Sequence, residues 1–531
     1  MTSIVGGETL RDLWERLVRE HGDRLFLAYQ SKEGARRSYT YAEFGRLIDA
    51  TANYLASLGV EHGSRVAIQL YNCPEHISVA FALAKLGAIA VPINMQHKLE
   101  ECAFVYEKCG IDIIVAEPDC QSYYLEAAAA AEPSDCDCCG ALRIHPMKHV
   151  LVAHAEGATL YEGAVDFDAA VGAASCAPPA PCAIDAHDTA MIIFTSGTTS
   201  CPKGVELTHA NMLFSGYYGD WQCALTPDDR LLTTMPAFHS NFQTAALMPV
   251  LTAGATLVYI EKYSARRYWK QVREYRATAI QLVAMMARTM MMQPVDAGER
   301  DHAVRSVQYY LAIGEDEKSA FEERFDVRLQ NCYGATESVC WVLTDLPYGR
   351  RAWPSVGRVG LGYEAEIVDE AGNAAAAGEL GEIVVHGIPG ETLMKGYYRD
   401  PEATAAAMTA DGRYRTGDKG YRDEDGWFYF VDRKSNMIKR AGENISASEV
   451  EEVLLDHPAV AEAAVIGVDD PVRDQAVKAF IVLDAGAVAT TDDITAYCAC
   501  RLADFKVPAI IEIVNGLPHT SVGKVAKKLL H

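Results

Sequence analysis

The run Thr195-Ser196-Gly197-Thr198-Thr199-Ser200-Cys201-Pro202-Lys203-Gly204 gathers hydroxyls, small residues and one lysine directly after the apolar segment Ala190–Phe194. A turn of this kind offers N–H and O–H donors at close approach plus one positive charge, which is what a polyphosphate requires. It is not a Walker A loop, where the lysine follows the second glycine and leads into a helix, because here Lys203 precedes Gly204. Taken by composition alone it also reads as a Ser/Thr/Gly surface loop. The cluster Cys136, Cys138, Cys139, His145 and His149 invites a metal reading. Its spacing matches no common zinc pattern, and the flanking Ala, Glu, Pro and Ser residues favour a variable surface loop.

These residues need a scaffold. Helical and strand-like segments alternate through the first 260 residues, as in Glu75–Leu86, then Gly87, then Ala88–Val91, which predicts an α/β architecture with largely parallel sheets. From about residue 355 the pattern changes to short strands with Gly turns (Ala365–Val368, Gly381–Val385, Trp427–Val431), predicting a smaller β-rich subdomain. Ser446-Ala447-Ser448-Glu449 reads as a capping box that starts a helix with Val450, Val453 and Leu454 inward. The expected organisation is a large domain over 1–432 and a small α+β domain over 433–531. At 531 residues, half of them apolar, the chain is long enough for more than one core. Its net charge of −24 excludes sequence-independent attraction to nucleic acid. Residues 76–93 and 244–260 are apolar but broken by Lys85, Gly87 and Pro92, or by Pro249 and Gly254, so no membrane span is expected. The start MTSIVGGETL lacks a basic region followed by an apolar one. With that start, the fifteen cysteines read as reduced thiols in a cytoplasmic protein.

The ten-residue string resembles the phosphate loop of the adenylate-forming superfamily, which includes acyl-CoA synthetases, adenylation domains of peptide synthetases and luciferases. Four further signatures of that superfamily follow in its order: Tyr333-Gly334-Ala335-Thr336-Glu337, Tyr414-Arg415-Thr416-Gly417-Asp418, Asp432 to Gly442, and Ser521-Val522-Gly523-Lys524. The resemblance implies a carboxylic acid–CoA ligase that uses ATP, Mg²⁺ and coenzyme A and passes through an acyl-adenylate. It assigns ATP or AMP to Thr195, Ser196, Gly197, Thr198, Thr199, Ser200 and Lys203 together with Tyr333, Gly334, Asp418 and Arg433. Thr336, Glu337, His239 and Lys524 become the catalytic set. In physical terms, Tyr333 can stack on adenine, Thr336 can donate to the α-phosphate, and Glu337 can hold the metal between phosphate oxygens. Asp418 can accept from both ribose hydroxyls, although an isolated aspartate after glycine reads better as a turn residue. Lys524 meets the charge that builds as the acid attacks. Lys439 and Gly442 belong to the opposite face of a mobile small domain, where glycine lets pantetheine approach.

The sequence departs from the superfamily pattern at the hinge, where Ser435 stands in place of Asp or Lys. It departs again before Tyr333, where Leu311-Ala312-Ile313-Gly314-Glu315 replaces a small-residue segment. Outside the general signatures, several runs resemble bacterial crotonobetaine/carnitine–CoA ligases. They include Gly216-Tyr217-Tyr218, Trp221 to Leu225, Met235 to His239, Glu261 to Arg266, Trp353-Pro354-Ser355 and Asn436 to Arg440. A betaine carries a quaternary ammonium that aromatic faces and a carboxylate can hold. The expected acyl pocket is therefore Tyr218, Trp221, Ile313, Gly314 and Glu315. Plain short- or medium-chain acids, and a stand-alone enzyme loading a carrier protein, are the alternatives. The resemblance also allows a homodimer.

Overall fold

The computed structural model describes residues 3–121, 123–124, 134–136, 140–142, 147–195, 202–310, 313–433, 437–484, 486–518, 525 and 527–531. Two large sheets carry the N-terminal part. The nine-stranded sheet runs in the order Arg358–Val359, Trp341–Thr344, Leu329–Gly334, Ser306–Tyr310, Ala279–Val283, Arg230–Thr233, Thr256–Ile260, Leu25–Gln30, Arg36–Thr40. Its interior pairs are parallel and only its edges are antiparallel. The eight-stranded sheet is likewise parallel from Thr189–Thr195 through Ile89–Pro92, Arg65–Gln69, Ile113–Ala116 and His149–Val152 to Ala164–Asp166. Its other end is closed by the antiparallel strands Lys203–Thr208 and Gly396–Tyr397.

The alternation legible in the sequence produces this. Pro74–Lys85 is a helix buried along its whole length, as a crossover between two parallel strands must be. Gly87 follows at φ +67, where a Cβ would meet the His62 ring at 2.5 Å, so glycine alone can turn the chain into Ile89–Pro92. The segment 244–260 is also two pieces. Met248–Ala253 is helical, Gly254 caps it at φ +68, and Thr256–Ile260 is a strand. No helix among the described residues is long and apolar enough to cross a membrane.

The β-rich segment is a four-stranded antiparallel sheet of Glu364–Val368, Gly381–His386, Arg413–Arg422 and Phe428–Arg433. The C-terminal domain builds its own five-stranded sheet from Met437 onward, with Glu443–Ser446, Met437–Arg440, Asp474–Leu483 and Val460–Asp470 in order and Ile510–Ile513 added alongside Asp474–Leu483. Its core (Ile438, Ile445, Val450, Leu454, Val477 and Ile481 among others) contains, among the described residues, none from before 437. Ser446 caps the helix Ala447–Leu455 through its hydroxyl, with Val450 and Leu454 buried and Val453 packed at the margin. The reciprocal half of the capping box is absent. The Glu449 carboxylate accepts instead from Lys506 at 2.6 Å.

Candidate active site

Both parallel sheets direct the C-terminal ends of their strands at one cavity of about 1210 Å³. Pro92, Thr195, Val283, Tyr310 and Gly334 each end a strand, and each lines this cavity. Open α/β sheets collect ligands at such ends, where the strand termini leave backbone groups and loops free.

The phosphate-loop string spans a hairpin. Thr189–Thr195 pairs antiparallel with Lys203–Thr208, and Thr195 stands opposite Lys203 in register. Ser196, Gly197, Thr198, Thr199 and Ser200 lie outside the described residues. At the base of the hairpin, the Lys203 ammonium sits 5.0 Å from the centroid of the Tyr397 ring. The Tyr397 hydroxyl donates to Glu337 Oε1 at 2.9 Å. Tyr397 reaches there because its strand pairs with the hairpin at Val205. The cation and the carboxylate thus bracket one aromatic ring.

Tyr333 and Gly334 close the strand Leu329–Gly334, and a short 3₁₀ turn, Thr336–Ser338, follows. A Cβ on Gly334 would lie 2.3 Å from the Cys340 carbonyl oxygen, so the turn cannot admit a side chain there. Val339 leaves the turn at φ +63, an uncommon conformation for a β-branched residue and one associated with constrained functional sites. Thr336 Oγ1 lies 3.1 Å from Ser240 Oγ. His239 caps the next helical segment by accepting from the Asn241 N–H at Nδ1, 3.2 Å away. The helical run from Ser240 to Ala253 contains a π turn at Gln243–Leu247. Gln281 donates to the Ala245 carbonyl within that turn at 3.1 Å. Such insertions recur where a helix is reshaped around a site.

Asp418 is a strand residue here rather than the turn aspartate its isolated motif suggests, since it lies within Arg413–Arg422. It is 6 % exposed and accepts from the Tyr333 hydroxyl at 2.6 Å. Its N–H donates to Thr416 Oγ1, and Gly417 before it has φ +72. Arg433 stands opposite Asp418 in the strand register. Tyr333 and Phe430 lie with ring centroids 6.2 Å apart at 35°.

From the C-terminal domain, Met437, Lys439, Gly442, Glu443 and Asn444 face the cavity. Gly442, at φ +93, comes so near the large domain that a Cβ would sit 3.6 Å from Val283 Cγ1. The Lys439 ammonium is 4.4 Å from the Phe430 ring centroid. Lys524 and Ser435 lie outside the described residues, as do Cys138, Cys139 and His145 of the cysteine–histidine cluster.

The structure does not bring most of the expected acyl-pocket residues to the cavity. Ile313 lines it; Tyr218, Trp221, Gly314 and Glu315 do not. Tyr218 is fully buried with its hydroxyl donating to the Trp341 carbonyl, so it supports the wall from behind. Trp221 is 38 % exposed on the outer face, and Glu315 is an exposed first residue of the helix Glu315–Phe325. The aromatic wall is formed instead by Tyr310 and Trp341, stacked with centroids 4.2 Å apart at 24°. Sequence reasoning missed both. The usable signal for Tyr310 was its place at the C-terminal end of a parallel strand.

Glu337, with Thr336 and Thr195 nearby on the same wall, offers hard oxygen donors and a single carboxylate. That set fits a Mg²⁺ ion whose remaining ligands are phosphate oxygens and water, and it is no dedicated metal cage. Among the described residues, Cys73, Glu75 and His154 form the one other group with metal-ligand spacing, their donor atoms lying within 4.8 Å of one another. It is already closed. His154 bridges Glu117 at 3.0 Å and Glu75 at 3.1 Å, and Arg37 forks onto Glu75.

The profile of the AMP-binding enzymes matches residues 14–398, and that of the AMP-binding enzyme C-terminal domain matches residues 449–524. The chain is 44 % identical over 532 residues to a crotonobetaine/carnitine–CoA ligase of Salmonella paratyphi A, covering 99 % of each chain. Among solved structures it is similar to a double mutant of o-succinylbenzoate CoA synthetase from Bacillus subtilis bound to a product analogue, with 25 % identity, a TM-score of 0.82 and 98 % of each chain covered. It is also similar to ATP-bound MatB from Rhodopseudomonas palustris, with 26 % identity, a TM-score of 0.68 and 98 % of each chain covered. A hairpin lysine, a Thr–Glu turn and a strand aspartate on one cavity, under a separate C-terminal domain, agree with both profiles: the chain belongs to the AMP-binding, adenylate-forming enzyme family.

Proposed function

We propose that the chain is an ATP-dependent carboxylic acid–CoA ligase acting on a small betaine-type acid such as crotonobetaine or carnitine. In the first half-reaction a carboxylate oxygen attacks the α-phosphorus, the bond to the bridging oxygen breaks, and pyrophosphate leaves. In the second, the CoA sulfur attacks the acyl carbon and AMP departs with the acyl–oxygen electron pair. Lys203 and the hairpin would hold the outer phosphates, Thr336 would donate to the α-phosphate, and Asp418 would accept from the ribose beside Tyr333. Mg²⁺, when bound at Glu337, would neutralise phosphate charge. Lys524 is assigned to the first step and Gly442 with Lys439 to the second, in a small domain that turns at Ser435 from a boundary at 432/433. The eleven cysteines whose side chains are described are all free thiols, which supports a reducing, cytoplasmic setting.

The observation that carries the ligase reading is the meeting of Lys203, Glu337, Thr336, Asp418 and Gly442 around one cavity. The betaine reading rests on the full-length relative and on the stacked Tyr310–Trp341 wall, a surface suited to a cation that cannot donate hydrogen bonds. The deciding assay is pyrophosphate release from a panel of acids with and without CoA. Crotonobetaine is expected to lead the panel, with acyl-CoA as product. Release with no thioester would remove CoA as acceptor, and a better rate with hexanoate or octanoate would remove the betaine.

A further inference from the structure

Two cations tie the C-terminal domain to the large domain, and they do it in the same way. Lys506 of the C-terminal domain is held by Glu449 of its own domain at 2.6 Å and reaches across to Glu101 of the large domain, also at 2.6 Å. These side chains are 5 %, 14 % and 8 % exposed, respectively. Arg288 of the large domain is held by Glu317 at 2.9 Å and reaches across to Asp474 of the C-terminal domain at 2.7 Å. Asp474 pairs in register with Arg440, two residues before Gly442, and Arg288 belongs to the helix Ala284–Met291 that follows Val283. The crossing contact at Arg288 is therefore built on the same segments that bring Gly442 against Val283.

Breaking a buried ion pair is ordinarily costly because one charge is left without compensation. Here each cation keeps its own carboxylate when the domains part. Lys506–Glu449 and Arg288–Glu317 remain neutral pairs, while Glu101 and Asp474 pass to water. The contacts are thus strong enough to favour one orientation and cheap enough to release. The surface pair Lys98–Asp504, 3.2 Å apart with the aspartate 78 % exposed, contributes little by comparison. We infer that Glu101 and Asp474 are positioning residues for thioester formation, clamping the C-terminal domain in the orientation that presents Gly442 to the cavity. The inference rests on the assignment of Gly442 to the second half-reaction made above.

The test is the double variant Glu101→Gln/Asp474→Asn, with Glu101→Gln alone as the milder form should the double variant fold poorly. Thioester formation from a supplied acyl-adenylate is expected to fall roughly 5- to 150-fold, the usual range for a coupling between two states, while pyrophosphate exchange holds or rises. A structural defect would lower both half-reactions together, and that result, or an unchanged thioester rate, overturns the inference. Spin labels on unnatural residues at the exposed positions Tyr348 and Val488 give a readout independent of chemistry. The interdomain distance distribution of the double variant should broaden relative to wild type. If wild-type protein makes no thioester from any acid, the ligase reading falls, and an unaltered distance distribution then separately removes the clamp.

Discussion

Substitution at Lys524 separates the two halves of the proposed chemistry, and substitution at Trp341 separates charge from shape in recognition of the acid. Lys524→Ala should cripple adenylate formation and largely spare thioester formation from supplied acyl-adenylate. Losing one preorganised group aimed at developing charge costs about 3–4 kcal/mol, roughly 10²–10³ in rate. Stopped-flow measurement of the two half-reactions checks this, and equal losses in both would refute the division of labour. Trp341→Leu keeps an apolar wall but removes the aromatic face stacked on Tyr310. A desolvated cation over such a face is worth about 0.5–2 kcal/mol, so kcat/KM for crotonobetaine should drop roughly 2- to 30-fold. An isosteric acid with tert-butyl in place of trimethylammonium should be nearly unaffected. Parallel losses for the two acids would show that shape, not charge, is recognised. The positions of Lys203, Thr336, Glu337 and Asp418 on one cavity were legible, because each belongs to an ordered string that fixes the backbone presenting it. Tyr218 and Trp221 were not, because their helix His209–Cys223 is buried on nearly every side and offers no apolar stripe from which a cavity face could be read.

Strands and helices are tied together by charged groups as well as by apolar packing, and the clearest case involves none of the residues that line the cavity. Glu75, on the first turn of Pro74–Lys85, meets Arg37 from the edge strand Arg36–Thr40 and His154 from the loop after His149–Val152. Burial alone would raise the Glu75 carboxyl, but hydrogen bonds from His154 and Arg37 outweigh it and hold the group at about 2. Burial likewise opposes a charged His154, yet its bonds to Cys73, Glu117 and Glu75 raise it far above the imidazole range. The signs follow from linkage. A depressed carboxylate contributes stability that is complete above its unfolded value of 4.5 and lost as pH falls toward 2. The raised histidine contributes below its unfolded value of 6.5, through neutrality, and until its own elevated value is passed. The network is therefore intact at neutral pH and fails on the acid side, with Glu75 accounting for ~3 kcal/mol of that loss. Glu75→Gln should lower the urea midpoint at pH 7, and its deficit against wild type should shrink between pH 4.5 and 2. A deficit independent of pH would mean that the carboxylate charge is not what matters. Such long-range meetings explain why element types were legible and their partners were not. The helix and strand around Gly87 follow from local periodicity, whereas pairing Glu75 with residues 38 and 79 positions away does not.

Across the whole molecule the decisive feature is that, among the described residues, no hydrophobic core joins the segment before residue 434 to the segment after residue 436. The C-terminal clusters, around Ile438, Val450 and Val477 and around Ala464, Phe480 and Leu517, draw only on residues after 437. The described contacts between the domains include the ion pairs of Lys506 and Arg288 and the approach of Gly442 to Val283. Polar, releasable contacts between two units let them reorient more readily than a shared apolar core would. The expectation of domains over 1–432 and 433–531 carries no information on the interface, whose location depends on tertiary packing that no local pattern encodes. If the partition is right, a fragment of residues 1–433 should fold and retain the cavity wall that carries Lys203, Glu337, Thr336 and Asp418. It should bind a non-hydrolysable acyl-adenylate analogue within roughly one order of magnitude of the full chain, because lost contacts to the small domain amount to about 1 kcal/mol of binding. It should form adenylate about 10²–10³ more slowly, lacking Lys524, and transfer no acyl group to CoA, lacking Gly442. Calorimetric titration and pyrophosphate exchange on the purified fragment measure the two quantities. A fragment that aggregates, or that binds the analogue orders of magnitude more weakly, would place the C-terminal domain inside the folding unit and the adenylate site.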